Sequence, residues 1–156
     1  MVNASSSTFV PLGHRWRDMD PVSLCASVLT VISATHSVIK GLRKLKGYWQ
    51  APQLLQEVTA EVESLQSTLH NVSFFVASAH SSPDTQSLHG PVSRAAFTIK
   101  RISALISSPA PYTMRLRATN SARVTWLCRK NEIKALLDDL KVIRMDLIVG
   151  LGLLAA

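Results

Sequence analysis

The chain has 156 residues, a length typical of one domain, and its apolar content of 47% argues against wholesale disorder. Aromatic residues make up only 6%, which favours aliphatic helix packing over a β-sandwich. The formal net charge of +7 indicates acidic partners such as nucleic acid, anionic lipid or an acidic protein surface. A merely solvated basic surface explains the same charge equally well.

The beginning of the chain and its cysteines bear on location. Residues 1–18 are polar and Ser-rich and lack the apolar stretch of a signal peptide. We predict a flexible, disordered N-terminal extension there, with Met19 as an alternative start of translation. Cys25 and Cys128 are too few for a disulfide scaffold. We therefore expect a cytoplasmic location, with peripheral membrane attachment as a further option.

The first predicted helix spans about residues 21–46 and is the one around which the others are arranged. Asp20 is a good N-cap, and Pro21 suits the first helical position. No charged residue occurs from Val22 to Ile39, so this helix is either the central helix of a bundle or a membrane segment. Its serines and threonines favour the central helix, wrapped by three others.

Helix 1 also supplies the residues expected to face a membrane or a partner. Apolar side chains come first, and a basic cluster follows near the negative end of the helix dipole. The candidates are Leu24, Val28, Leu29, Ile32, Lys40, Arg43, Lys44 and Lys46.

A second helix is predicted over about residues 52–79, because apolar residues recur there in steps of three and four. Three glutamates near its start, Glu57, Glu61 and Glu63, would face the basic end of helix 1 in an antiparallel hairpin. The apolar stripe comprises Leu55, Val58, Val62, Leu65, Leu69, Val72 and Val76.

Two further helices complete the predicted domain. Residues 80–90 have the composition of a loop, and helix 3 follows over about residues 91–106. Helix 4 covers about residues 122–154, with its start left open between Ala122 and Glu132. No strand-like alternation occurs, so we predict an all-α, up-down four-helix bundle formed by residues 19–156.

A basic face is predicted between Pro91 and Lys130, where no acidic residue occurs. It could bind another helical protein. Nucleic acid is the third alternative, since no helix-turn-helix signature, aromatic platform or zinc module accompanies the basic residues. The face comprises Arg94, Lys100, Arg101, Arg115, Arg117, Arg123, Arg129 and Lys130.

The sequence contains no motif that indicates catalysis. There is no Gly-x-Ser-x-Gly, His-Glu-x-x-His or P-loop. The histidines have no metal-ligand spacing, although His36 and His70 could meet across the first hairpin. We therefore expect no catalytic residue, no metal, no cofactor and no small-molecule substrate.

Several short segments resemble a known family in their order and spacing. They are Met19-Asp-Pro-Val-Ser-Leu, Gly41-Leu-Arg-Lys-Leu, Ala51-Pro-Gln-Leu-Leu-Gln-Glu-Val, Glu63-Ser-Leu-Gln, and Trp126 with the helix from Glu132 to Lys141. Over about residues 19–154 the chain resembles the fungal N-terminal domains of STAND proteins. That group includes the HeLo-like domains and the N-terminal domain of the azaphilone pigment cluster protein L.

The resemblance implies a role in signalling. Such domains usually precede a nucleotide-binding NACHT module or ankyrin repeats and act as effector or adaptor heads. In the HeLo branch the activated bundle damages membranes and drives programmed cell death. We therefore expect a non-enzymatic head domain that acts when helix 1 is exposed to a membrane or partner. The alternative is a helical protein-interaction module without membrane activity. Expected partners are another protein or a second copy, and an anionic membrane surface.

Overall fold

In a computed structural model the chain is described over residues 21–47, 53–78, 86–107 and 129–155. Within these ranges every regular element is an α-helix, which confirms the all-α prediction. The helices are α1 (Pro21–Gly47), α2 (Gln53–Ser78), α3 (Gln86–Ser107) and α4 (Lys130–Ala155). The predicted N-terminal extension, residues 1–18, lies outside the described residues.

The predicted helix bounds hold to within one residue for α1 and α2, and α4 begins inside the interval left open for it. The predicted start of α3 is wrong, because residues 86–90 of the expected loop are helical. Pro91 lies inside this helix and cannot donate the usual backbone hydrogen bond. Leu88 in the added turn is fully buried, and its packing offsets that loss.

The core consists of one apolar stripe from each helix. Every residue of the predicted α2 stripe is buried, and in α3 the residues Val92, Ala95, Ile99 and Ile102 are also buried. Two of the candidates named on α1, Leu24 and Val28, belong to its core stripe. This stripe runs through Leu24, Val28, Val31, Thr35, Val38 and Leu42 in alternating steps of four and three. Thr35 is tolerated in the core because its hydroxyl donates to the Ile32 carbonyl oxygen at 2.7 Å.

Contacts near the helix ends give the helix directions. Arg43 near the end of α1 pairs with Glu63 in the first half of α2, so these helices are antiparallel. A Cβ placed on Gly41 would lie 3.1 Å from Ile106, which puts the ends of α1 and α3 together and makes them parallel. Arg101 and Glu132 likewise join the end of α3 to the start of α4. Successive helices therefore alternate in direction, as predicted.

The order of the helices around the core differs from their order in the chain. Close packing joins α1 to α2, α2 to α4, α4 to α3, and α3 to α1. The two diagonals of the bundle are thus α1–α4 and α2–α3. Helix α1 is one corner of this ring and has an outer side that faces solvent, so the prediction that three helices wrap it is wrong.

Two ion pairs that hold α4 in place differ in burial. Arg144 Nε donates to Glu61 Oε1 across the α2–α4 contact, where the side chains are 28% and 12% exposed. Arg94 pairs with Asp146 at 3.0 Å across the α3–α4 contact, but these side chains are 52% and 43% exposed. The first pair is the better shielded from solvent.

We expect Arg144→Ala to lower the free energy of unfolding by about 1.5–3 kcal/mol, because it leaves the Glu61 carboxylate without its charged partner. The matched control is Arg94→Ala, whose exposed pair contributes about 0–1 kcal/mol. Urea denaturation measures both values. Equal losses in the two variants would contradict the difference assigned to burial.

Candidate functional site

The solvent-facing side of the α1–α2 hairpin carries an apolar surface. Ile32 precedes Arg43 by eleven residues, and Phe74 follows Glu63 by eleven. Eleven residues make three helical turns to within about 20°. Arg43 and Glu63 pair across the line of contact between the antiparallel helices α1 and α2, which we call the seam. Ile32 and Phe74 therefore lie on opposite sides of this seam, at the same level along the helix axes.

Four apolar side chains lie along this side of the hairpin, and we call them the seam patch: Val22, Leu29, Ile32 and Phe74. Val22, Leu29 and Phe74 are exposed, and Ile32 is half-buried. No Asp, Glu, Lys or Arg occurs over residues 21–39 of α1 or 64–78 of α2. The end of the hairpin that contains the start of α1 and the end of α2 therefore has no charged Asp, Glu, Lys or Arg and carries apolar side chains on its surface.

The basic cluster lies at the opposite end of α1. Lys40, Arg43 and Lys44 are exposed, and Arg43 is neutralised by Glu63 at 2.9 Å. Neither Lys40 nor Lys44 has an ion pair with a described residue. Both lysines lie near the negative end of the α1 dipole. Lys46 belongs to α1, but its side chain is outside the described part.

Hydroxyl groups on the outer side of α1 are internally paired. Ser27 donates to the Ser23 carbonyl oxygen at 2.9 Å, Thr30 to Ala26 at 2.8 Å, and Ser37 to Ser33 at 3.2 Å. A hydroxyl that donates to its own helix needs no donor bond to water, so Ser and Thr are tolerated in apolar surroundings. These residues dilute the apolar character of α1 less than composition indicates.

The predicted membrane- or partner-facing set is divided between the two sides of α1. Leu24 and Val28 are buried in the core, whereas Leu29 is exposed. Of the other apolar members of the set, Ile32 is half-buried, and the surface also includes exposed Val22 and Phe74, which were not predicted. Phe74 carried a usable signal, since it falls outside the heptad stripe of α2.

The predicted basic face does not form one free surface within the described residues. Arg94 and Arg101 pair with Asp146 and Glu132 of α4. The Arg101 guanidinium also lies 5.9 Å from the centre of the Phe97 ring. Lys100 instead lines a groove of about 620 Å³ between α1 and α3.

The remaining members of the predicted basic face lie elsewhere. Arg129 and Lys130 are exposed at the start of α4. Arg115, Arg117 and Arg123 lie outside the described residues, as does Trp126. The paired arginines of α3 stabilise the contact with α4 and are less available to an external ligand.

Candidate metal ligands do not cluster in the described part of the chain. No group of three His, Cys, Asp or Glu side chains there could hold a metal ion. His36 and His70 are both exposed, each seven residues from the Arg43–Glu63 pair, so they flank the same seam. Cys25 is a free, half-buried thiol.

One described helix is long and apolar enough to cross a membrane. It is the segment Val22–Leu45 of α1, which has a mean hydropathy of 1.8. About one third of its most apolar 18-residue stretch is buried in the bundle. A buried core helix passes the same test, so length and composition alone do not decide between the two.

A family comparison bears on the whole helical region. The family model described as "Pigment biosynthesis cluster protein PigL N-terminal" matches residues 19–154. The chain belongs to this family. The match confirms the resemblance to the azaphilone pigment cluster protein and spans the same residues. It makes the four-helix bundle a PigL N-terminal domain. Neither the comparison with curated proteins nor that with solved structures gives a significant match.

The PigL N-terminal domain has a second apolar surface, which was not predicted from the sequence. It lies on the outer side of α4, where five exposed side chains follow Lys141. This half of α4 is apolar on both sides, so its sequence pattern does not separate the core residues from the exposed ones. The residues are Val142, Met145, Ile148, Val149 and Leu153.

Proposed function

We propose that this PigL N-terminal domain is a non-enzymatic effector or adaptor head that attaches peripherally to an anionic membrane surface in the cytoplasm. The observation that supports the proposal is the outer side of α1. It combines the exposed Val22 and Leu29 of the seam patch with Lys40 and Lys44 at its basic end, which have no ion pair among the described residues. A helix that lies in a membrane interface needs this combination of apolar and basic residues.

The folded bundle is the form that attaches. Six apolar residues of α1 are buried, and each contributes about 1.5–3 kcal/mol. Releasing α1 into water would therefore cost roughly 9–18 kcal/mol, which is comparable to the whole stability of a typical domain, about 5–15 kcal/mol. Contact through the seam patch avoids this cost. The buried residues are Leu24, Val28, Val31, Val38, Ile39 and Leu42.

The test is flotation with vesicles that contain phosphatidylserine, compared with neutral phosphatidylcholine vesicles. We expect Leu29→Arg to weaken binding about tenfold, although it adds a positive charge, because it removes an apolar contact. We expect Lys44→Glu to weaken binding at least fivefold, since each basic residue near an anionic surface contributes about 1 kcal/mol.

A matched control is Phe97→Arg, which places the same charge at an exposed apolar position on α3. It should bind vesicles like the wild type. Wild-type protein that remains unbound on both lipids would contradict the proposal and favour the alternative, a helical protein-interaction module. Binding that all three variants leave unchanged would exclude the α1–α2 surface as the site of contact.

Nucleic acid remains the third candidate and has less support. Its basic face includes Arg94 and Arg101, which already pair with acidic residues of α4. A nucleic-acid ligand would have to displace those acids or use other cations. Steep salt dependence of DNA or RNA binding would be the sign of this function.

A further inference from the structure

We propose that two copies of this chain associate through the outer side of α4, in an antiparallel and two-fold symmetric contact. This surface is separate from the seam patch and does not depend on the membrane function. It consists of Val142, Met145, Val149 and Leu153 with Ile148 beside them, and we call it the α4 stripe. Its side chains are between 43% and 70% exposed.

The spacing of the α4 stripe fits a partner that is itself a helix. Its four main residues follow one another in steps of three, four and four, so they form one line along the helix. The residues facing the core are Leu140, Ile143 and Leu147, which are buried. Helix α4 thus has apolar lines on both sides, and the other described helices cover only the inner line.

A second copy in the antiparallel direction matches this line of residues with itself. When Val142 lies opposite the second copy's Leu153, Met145 lies opposite its Val149. The remaining two pairs repeat these contacts by symmetry. Such an isologous contact is closed at two copies and leaves neither stripe uncovered.

Charge complementarity also favours the antiparallel direction. Lys141 is exposed immediately before the α4 stripe, and the last turn of α4 has no basic residue. The antiparallel arrangement places each Lys141 beside the C-terminal turn of the other α4, where a cation is favourable. A parallel arrangement would place the two Lys141 side chains next to each other, where they would repel.

The contact should be weak because each copy contributes mainly one helix, and small interfaces are typical of transient complexes. Sedimentation velocity of the full chain, over a range of concentrations, should show a mass that rises from one chain toward two. We expect Val149→Glu to weaken this association at least tenfold, since the variant places two carboxylates in the symmetric contact. A wild-type mass of one chain up to millimolar concentration would overturn the proposal.

Leu29→Glu is the matched control, because Leu29 and Val149 are 55% and 56% exposed. It should associate like the wild type. Circular dichroism should show the same helix content in both variants. If Val149→Glu instead reduced vesicle binding and left the mass curve unchanged, the α4 stripe would contact lipid and the proposal would be wrong.

Cross-linking tests the direction of the contact. In a background with Cys25→Ala and Cys128→Ser, one chain carries Met145→Cys and another carries Val149→Cys. Mild oxidation of the mixture should give mainly disulfides between the two different chains, because these positions face each other in the antiparallel contact. Predominant linkage of each variant with itself would indicate a parallel contact and overturn the proposal.

Discussion

Replacing Leu88 with Ala is expected to lower the free energy of unfolding by about 2–5 kcal/mol, the range for a fully buried leucine. Leu88 is 0% exposed and lies in the first turn of α3, which sequence composition assigned to a loop. Its side chain fills the space beside Gly150 of α4: a Cβ placed on that glycine would lie only 2.7 Å from Leu88 Cδ2. Urea denaturation monitored by circular dichroism measures the loss.

The contact with Gly150 makes the prediction more specific. In the wild type, Gly150→Ala should be neutral or destabilising, because the added methyl group forces Leu88 to move. In the Leu88→Ala background the space is open, and Ala should stabilise α4 by up to about 1 kcal/mol through its higher helix propensity. A double-mutant cycle measures this coupling between the two positions.

Gly152 supplies the control for helix propensity alone. No neighbouring side chain or backbone of another described helix lies within 4 Å of a Cβ placed on it, so Gly152→Ala should have the same effect in both backgrounds. If Leu88→Ala cost less than about 0.5 kcal/mol, or if Gly150 and Gly152 responded alike, the packing assigned to the first turn of α3 would be wrong.

Helix α2 was predictable because its apolar residues form one line between polar ones. Each member of that stripe is buried. In α1 the same rule failed, since residues 22–39 are uncharged on every side and several lines compete. The apolar candidates named on α1 included exposed Leu29 and omitted buried Val31 and Leu42, because the line through the core contains the polar residue Thr35.

The start of α3 and the order of the helices around the core could not be predicted from the sequence, for two different reasons. Gly90 followed by Pro91 is a strong local signal for a loop, and only the tertiary contact of Leu88 with α4 outweighs it. The order of the helices around the core depends on which pairs of helices pack against each other. The connections 48–52 and 79–85 are short, but their lengths alone do not say which helices become neighbours.

The sequence predicted which basic residues belong to the candidate site, but it did not predict which apolar side chains of α1 are accessible to solvent. Lys40, Arg43 and Lys44 of the predicted basic cluster are exposed. The division of the apolar residues between core and surface follows from the rotation of α1 in the bundle, which the ambiguous stripe left undetermined. The pairing of Arg94 and Arg101 with α4 was equally hidden, because it joins residues far apart in the chain.

A disulfide between positions 41 and 106 should hold α1 against α3 and still allow the protein to bind vesicles. A Cβ placed on Gly41 would lie 3.1 Å from Ile106 Cγ2. The two Cβ atoms would then be roughly 4–4.5 Å apart, which suits a disulfide. The variant is Gly41→Cys with Ile106→Cys, in a background with Cys25→Ala and Cys128→Ser.

The oxidised protein should be more stable than its reduced form by up to about 4 kcal/mol, because the cross-link closes a long loop in the unfolded chain. The measurement is urea denaturation with and without reductant. The single variant Gly41→Cys is the control and should show no dependence on reductant. No gain on oxidation would contradict the packing of α1 against α3 at this position.

Vesicle flotation of the same protein then separates two modes of membrane contact. If α1 acts from within the folded bundle, the oxidised and reduced forms should bind phosphatidylserine vesicles equally, since the seam patch lies on the α2 side of α1, away from the cross-link. If α1 had to leave the bundle, oxidation would abolish binding and reduction would restore it. If reductant restored vesicle binding, the proposal that the folded bundle attaches would be wrong, while α1 would still be the helix that contacts the membrane.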